Sequence, residues 1–272
     1  MKFTDLASRV AIALTLGPLV LATAWFGSYW FMGVVALIAA VSYYEFSLMA
    51  FKKEASSSMW SGIALLLLFL VNLKFSWLDT LESIYVITLV VMFRELFKNK
   101  GSAILNVGAT LTGIFYIGVC AGSLYMIRAF GDFSHDQAGL FVIAYLVSIW
   151  LSDTAAYFGG VSFGKHKLMK RVSPKKSWEG FFFGLGGAIG SFFLFRFFFL
   201  EFLSPLDAVM LGLIVGVVGP MGDLVESLLK RDAGVKDSSN ILKGHGGFFD
   251  RFDSVIASAP VIYIYLKNFI NL

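Results

Sequence analysis

Charge is scarce in this sequence and cysteine is nearly absent. Only 15% of the 272 residues are charged, against 58% hydrophobic residues and a mean hydropathy of +0.78. A water-facing surface needs more charge than that, so the composition indicates an integral membrane protein. A spanning helix takes about 20 mostly apolar residues, so nine spans would use roughly 180 and leave about 90 for loops and ends. That leaves no room for a second soluble domain, which excludes a Rossmann domain, a P-loop ATPase module and a DNA reader. The formal net charge of +4 is no argument for nucleic acid, because basic residues in a membrane protein report topology and contact with anionic lipid or phosphate. The one cysteine, Cys120, has no partner for an intramolecular disulfide. Internal repeats are also missing, and the Phe-rich stretch 192–199 around Arg196 fits lipid contact or packing better than chemistry.

What is present is a succession of apolar runs, at 10–26, 29–50, 60–78, 82–97, 103–127, 139–160, 181–203, 206–229 and 252–271. They predict an all-α polytopic protein of about nine transmembrane helices. Residues 1–138 form an amino-terminal group of about five spans, and 139–272 a carboxy-terminal catalytic region with polar loops near 161–180 and 230–251. Lys2 and Arg9 precede an apolar stretch ending near Ala22 and Ala24, which imitates a secretory signal; an uncleaved first span is the expected reading, and both enter with the amino terminus inside. With that orientation, 18 of the 22 basic residues fall on one side, so the positive-inside rule puts the amino terminus and both polar loops in the cytoplasm. Gly180, Gly184 and Gly187, with Gly186 and Gly190 beside them, and Gly212, Gly216 and Gly219 place small residues at helical spacing. Such stripes let helices approach closely and permit a homodimer without requiring one.

Carboxylates inside a span cost several kcal/mol unless paired, hydrated or bound to a cation. Glu45, Asp153, Asp223 and Glu226 are the four candidates. Glu45 has no basic or acidic neighbour in sequence and reads as structural or peripheral. Asp223, Glu226 and Ser227 share one helix face by their three- and four-residue spacing, and Asp250 and Asp253 repeat the spacing at the start of the last span. Two such pairs near one membrane surface would repel each other, and a divalent cation such as magnesium removes that penalty. Taken alone, Asp250 and Asp253 could equally cap a helix amino terminus. Around them lie Lys230, Arg231, Lys236, Asp237, His245, Gly246, Gly247 and Arg251, and the other loop adds Lys165, His166, Lys167, Ser173, Lys175 and Lys176. Glycines that expose backbone N–H groups, together with lysines and arginines, suit an approaching phosphate.

The segment 227–253 resembles the signature of the phosphatidate cytidylyltransferases, or CDP-diacylglycerol synthases: Ser227, two apolar residues, Lys230-Arg231, then Lys236-Asp237, then His245-Gly246-Gly247, two aromatics and Asp250-Arg251-Phe252-Asp253. Asp153 to Gly160, Phe163 to Lys165 and Ser173 to Gly180 extend the likeness over about 150–254. One departure is Lys243, where the family usually has proline. The resemblance implies a magnesium-dependent reaction of CTP with phosphatidate that gives CDP-diacylglycerol and pyrophosphate. On that reading Asp223 and Asp250, with Asp153 and Asp253, hold one or two divalent ions, the number of ions and any monovalent cation staying open. Asp223, Asp250, Lys230, Arg231 and His245 are the expected catalytic group. Lys175, Lys176, Ser227, Lys236, Asp237, Gly246, Gly247 and Arg251 are expected to bind substrate. His245 would orient phosphate or protonate pyrophosphate, or else make a structural hydrogen bond beside the glycine turn. The expected setting is the cytoplasmic (inner) membrane of a bacterium with the active face inward. A CTP-dependent lipid alcohol kinase is the nearest alternative enzyme. A cation-coupled transporter using Asp153, Asp223 and Glu226 is the alternative from another class.

Overall fold

The computed structural model describes residues 3–239, 241 and 246–270, with side chains from residue 14 onward. Lys243 and His245 lie outside the described residues.

Each of the nine apolar runs coincides with a helix among the described residues: α1 (Phe3–Phe26), α2 (Ser28–Lys52), α3 (Met59–Phe75), α4 (Thr80–Leu96), α5 (Ala103–Arg128), α6 (His135–Phe163), α7 (Trp178–Phe198), α8 (Pro205–Asp232) and α9 (Phe249–Phe269). Five of them, α2, α5, α6, α7 and α8, are long and apolar enough to cross a bilayer. Helix α5 is π-helical over Gly113–Val119. The helix starts follow local chemistry. Ser134 accepts from the Gln137 N–H at 3.3 Å while the Gln137 side chain accepts from the Ser134 N–H at 2.8 Å, a reciprocal cap. Ser204 and Asp207 repeat it at α8, with Pro205 in the first turn where no N–H is needed.

The segment 161–180, expected to be a loop, contains an antiparallel hairpin of β1 (Lys167–Met169) and β2 (Ser173–Ser177). Its strands are short, carry lysine and proline, and lack apolar alternation, so the usual strand signal is missing from the sequence. The hairpin is held at its base, where the His166 N–H and Nδ1 meet the Glu179 carboxylate and the Trp178 N–H donates to the His166 carbonyl.

Helices α6, α7, α8 and α9 pack in sequence, and α9 closes back onto α5 and α2. Glycine makes this close packing possible. A Cβ on Gly184 would meet the Ala156 Cβ of α6 at 3.0 Å, and one on Gly187 would meet the Ala155 Cβ at 2.8 Å. A Cβ on Gly216 would lie 2.9 Å from the Leu185 Cα of α7. Gly186 and Gly190, in the same stripe, have open space around them and face away from the contact. The polar groups enclosed between the helices are mostly paired, as in Ser152 Oγ to the Gly184 carbonyl at 3.0 Å and Tyr145 to Ser258 at 2.7 Å. Unpaired polar groups in a membrane interior cost several kcal/mol, so these bonds favour one helix register.

Candidate active site

Helical periodicity puts Asp223, Glu226, Ser227 and Lys230 along one face of α8. That face meets the first turns of α9, because Gly222 lets the two backbones come together: a Cβ there would lie 2.7 Å from the Asp253 carbonyl. The result is a carboxylate cluster in which oxygens of Asp223, Glu226 and Asp253 all lie within 4.8 Å of one another. Glu226 is completely buried and Asp253 nearly so. Glu226 Oε2 meets Lys230 Nζ at 2.6 Å in an ion pair, and neither Glu226 oxygen makes a well-directed hydrogen bond among the described residues. A buried carboxylate short of donors and grouped with two further carboxylates is the environment that a hard divalent cation relieves.

Asp250, predicted as a metal ligand, stands beside Glu226 at the edge of that trio. Its Oδ1 meets Lys230 Nζ at 2.5 Å, and its Oδ2 accepts from the Ser238 N–H at 3.0 Å, the Ser238 hydroxyl at 2.7 Å and the Gly247 N–H at 2.8 Å. Lys230 is thereby held between Glu226 and Asp250 and is 9% exposed.

Two cavities meet at the cluster. One, of about 640 Å³, is walled by α1 at Leu16 to Leu21 and by α6, and is lined on its polar side by Asp153, Asp223, Glu226, Asp250, Asp253, Lys230 and Arg251. The second, of about 560 Å³, lies between α6, α7 and the hairpin and is lined by Lys167, Lys175 and Lys176 together with Tyr157 and Phe181. Asp153 and Asp223 line both. At this junction Lys176 Nζ of β2 lies 2.5 Å from Asp223 Oδ2 and donates to the Pro220 carbonyl at 3.4 Å, while Ser227 donates to Asp223 Oδ1 at 3.3 Å.

The predicted catalytic residue Arg231 and several predicted substrate-binding residues stand apart. Arg231 spans from the Val172 carbonyl at the hairpin turn to the Val235 carbonyl, tying the end of α8 to the hairpin. Lys236 and Asp237 line a smaller polar cavity of about 370 Å³ with Lys52 and Ser239. Gly246 has φ of +78°, a backbone conformation that suits glycine, and Gly247 places its N–H on Asp250. The sequence pattern noted Glu226 on the face of Asp223 yet left it out of the metal set. Its distance of four residues from Lys230 was the available signal. Glu45, expected to be structural or peripheral, is structural: it is completely buried and accepts from Ser238, Ser239, Phe248 and Phe249.

The comparisons with known proteins agree on one family. The profile described as "Cytidylyltransferase family" matches residues 7–269. A phosphatidate cytidylyltransferase of Bacillus subtilis (strain 168) is 38% identical over 250 residues, covering 88% of this chain and 87% of the relative. One from Staphylococcus haemolyticus (strain JCSC1435) is 32% identical over 272 residues, covering 98% and 99%. One from Haemophilus influenzae is 42% identical over 134 residues, 47% of this chain and 46% of the relative.

Proposed function

The chain belongs to the cytidylyltransferase family, and from that premise we propose how its helices carry out the reaction. The protein is a nucleotidyltransferase that condenses CTP with phosphatidate to give CDP-diacylglycerol and pyrophosphate. A phosphate oxygen of phosphatidate attacks the α-phosphorus of CTP. The bond to the β-phosphate oxygen breaks, and the β- and γ-phosphates leave together as pyrophosphate. The nucleophile arrives ionised, so no strong general base is required. The barrier lies in bringing two polyanions together and in stabilising charge on the leaving group.

The observation that carries the mechanism is the trio of half-buried Asp223 with buried Glu226 and Asp253, in which the Glu226 carboxylate is short of hydrogen-bond donors. These residues would hold magnesium, with Asp153 across the junction. Bound there, magnesium supplies neutralisation of phosphate oxygens and of the departing charge.

The chain's own residues do the positioning. The two cavities give CTP and the lipid phosphate separate approaches that converge on Asp153 and Asp223. Lys176, held by Asp223, is placed to turn toward an incoming phosphate, and Lys175 and Arg251 add positive charge from the two sides. Lys230 keeps Glu226 and Asp250 in place and shields their repulsion. The apolar walls from α1 and α6 exclude bulk water from the reacting phosphates.

The nine helices are the nine spans of this reading, with the amino terminus and the hairpin on the cytoplasmic face, as the concentration of basic residues there supports. Bacterial relatives support the bacterial cytoplasmic membrane. Incubating purified protein with CTP, phosphatidate and magnesium should yield CDP-diacylglycerol and pyrophosphate in equal amounts. Release of CDP with a phosphorylated lipid, or no product with magnesium present, would overturn the assignment.

A further inference from the structure

Glu45 lies in the middle of the chain's first third, far in sequence from every residue of the proposed site. Its carboxylate is completely buried and lies within hydrogen-bond distance of four donors. Oε1 accepts from the Ser239 hydroxyl at 2.5 Å and the Phe248 N–H at 3.0 Å; Oε2 accepts from the Ser238 hydroxyl at 2.9 Å and the Phe249 N–H at 2.8 Å. Helix α9 has no side-chain cap of its own at Phe248, so Glu45 of α2 accepts from N–H groups that the helix cannot satisfy internally. Gly247 is packed so tightly here that a Cβ would collide with both Ser238 Oγ and the Glu45 carboxylate.

We infer that Glu45 is a positioning residue for the cytidylyl transfer: an anionic clasp that joins residues 238–239 to the start of α9 and so sets where Asp250 and Asp253 stand. The connection is short. The Ser238 hydroxyl has one proton and two carboxylate acceptors, Glu45 Oε2 and Asp250 Oδ2, and Asp250 in turn holds Lys230. Asp253 follows one turn later on the same helix.

The geometry makes Glu45→Gln informative. Each carboxylate oxygen takes one backbone N–H and one serine hydroxyl. A serine can rotate to accept from the new amide, but a backbone N–H cannot. Whichever way the amide is turned, one N–H of Phe248 or Phe249 faces another donor and loses its acceptor. The start of α9 should loosen while the rest of the helix bundle keeps its packing.

This inference rests on the proposed magnesium-dependent transfer, and its test includes a readout that does not. Purified Glu45→Gln and Ser239→Ala are compared with the unaltered protein by amide hydrogen exchange over 246–252, thermal unfolding, and turnover as a function of magnesium. For Glu45→Gln we expect exchange in that segment to quicken by about tenfold, turnover to fall by about tenfold, and half-saturating magnesium to rise severalfold. Ser239→Ala, which removes one donor and leaves both backbone bonds, should shift all three in the same direction by less. Unchanged exchange in Glu45→Gln overturns the clasp. A lowered melting temperature with unchanged half-saturating magnesium overturns the positioning role and leaves a purely structural one. If Glu45→Gln does not fold, Ser239→Ala decides: unchanged exchange and magnesium dependence there overturn the inference. Failure of the unaltered protein to make CDP-diacylglycerol would refute the proposed function, with the exchange result still judging the clasp.

Discussion

Lys230 of α8 and Asp250 of α9 meet at 2.5 Å, and the same ammonium lies 2.6 Å from Glu226, so one buried cation holds two acids on different helices. Removing one member of a buried ion pair leaves the others uncompensated, at a cost of about 3 kcal/mol or more. Lys230→Met should therefore lower the melting temperature in detergent as well as abolish turnover. A folded Lys230→Met of unchanged melting temperature would mean that the lysine is held for substrate alone.

The contrast between Asp250 and the Asp223, Glu226 and Asp253 cluster gives a second test, read by direct Mn²⁺ binding to the purified protein. Asp223→Asn, Glu226→Gln and Asp253→Asn should each weaken binding by about tenfold or more. Asp250→Asn should retain Mn²⁺ affinity within about threefold yet lose turnover, because its oxygens serve Lys230 and the N–H groups of Ser238 and Gly247. Equal loss of Mn²⁺ binding in Asp250→Asn and Asp223→Asn would make Asp250 a ligand.

The difference between those two aspartates shows which parts of the site the sequence could disclose. Three-residue spacing on a helix is a local property, so the shared face of Asp223 and Glu226 and the pair Asp250 and Asp253 were readable. Which acid of one helix reaches which acid of the other depends on how α8 crosses α9. That crossing is set by Gly222 and its neighbours, and no spacing within one helix reports it. Glu45 was opaque for the same reason, since its four donors lie about 200 residues away and include two backbone N–H groups that carry no residue signature. The helices were legible because long apolar runs with caps such as Ser204-Pro205 are local signals. The hairpin was not, because β2 is read as Ser-Pro-Lys-Lys-Ser, and its pairing with β1 is a short non-local contact without apolar alternation.

Lys176 is the hairpin's link to the acids, 2.5 Å from Asp223. A charge-assisted contact to phosphate contributes about 1.5–3 kcal/mol, so Lys176→Gln should lower kcat/KM by about 10- to 100-fold. Lys53→Gln is the control. Lys53 pairs with Asp232 at 3.3 Å, but both side chains are more than half exposed, and such pairs contribute about 0–1 kcal/mol. Its steady-state kinetics should match those of the unaltered protein, and comparable losses in the two variants would show that the active face has been misplaced.

Gly222 and Gly186 are both helical glycines, and replacing each with alanine should have opposite effects. At Gly222 a Cβ would lie 2.5 Å from the Ala257 Cβ and 2.7 Å from the Asp253 carbonyl, so α8 and α9 must separate. Overpacking of this kind costs about 1–3 kcal/mol, and the separation occurs between the very turns that bring Asp223 and Asp253 together. Gly222→Ala should thus lower the melting temperature and, in the protein that remains folded, raise the magnesium needed for half-maximal rate. At Gly186 the same methyl meets nothing within 4 Å, and alanine is the better helix former by about 1 kcal/mol. Gly186→Ala should leave turnover unchanged and hold or raise the melting temperature. The pair separates close packing from helix propensity: if Gly222→Ala retains normal magnesium dependence, the approach of α8 to α9 does not set the spacing of the acids.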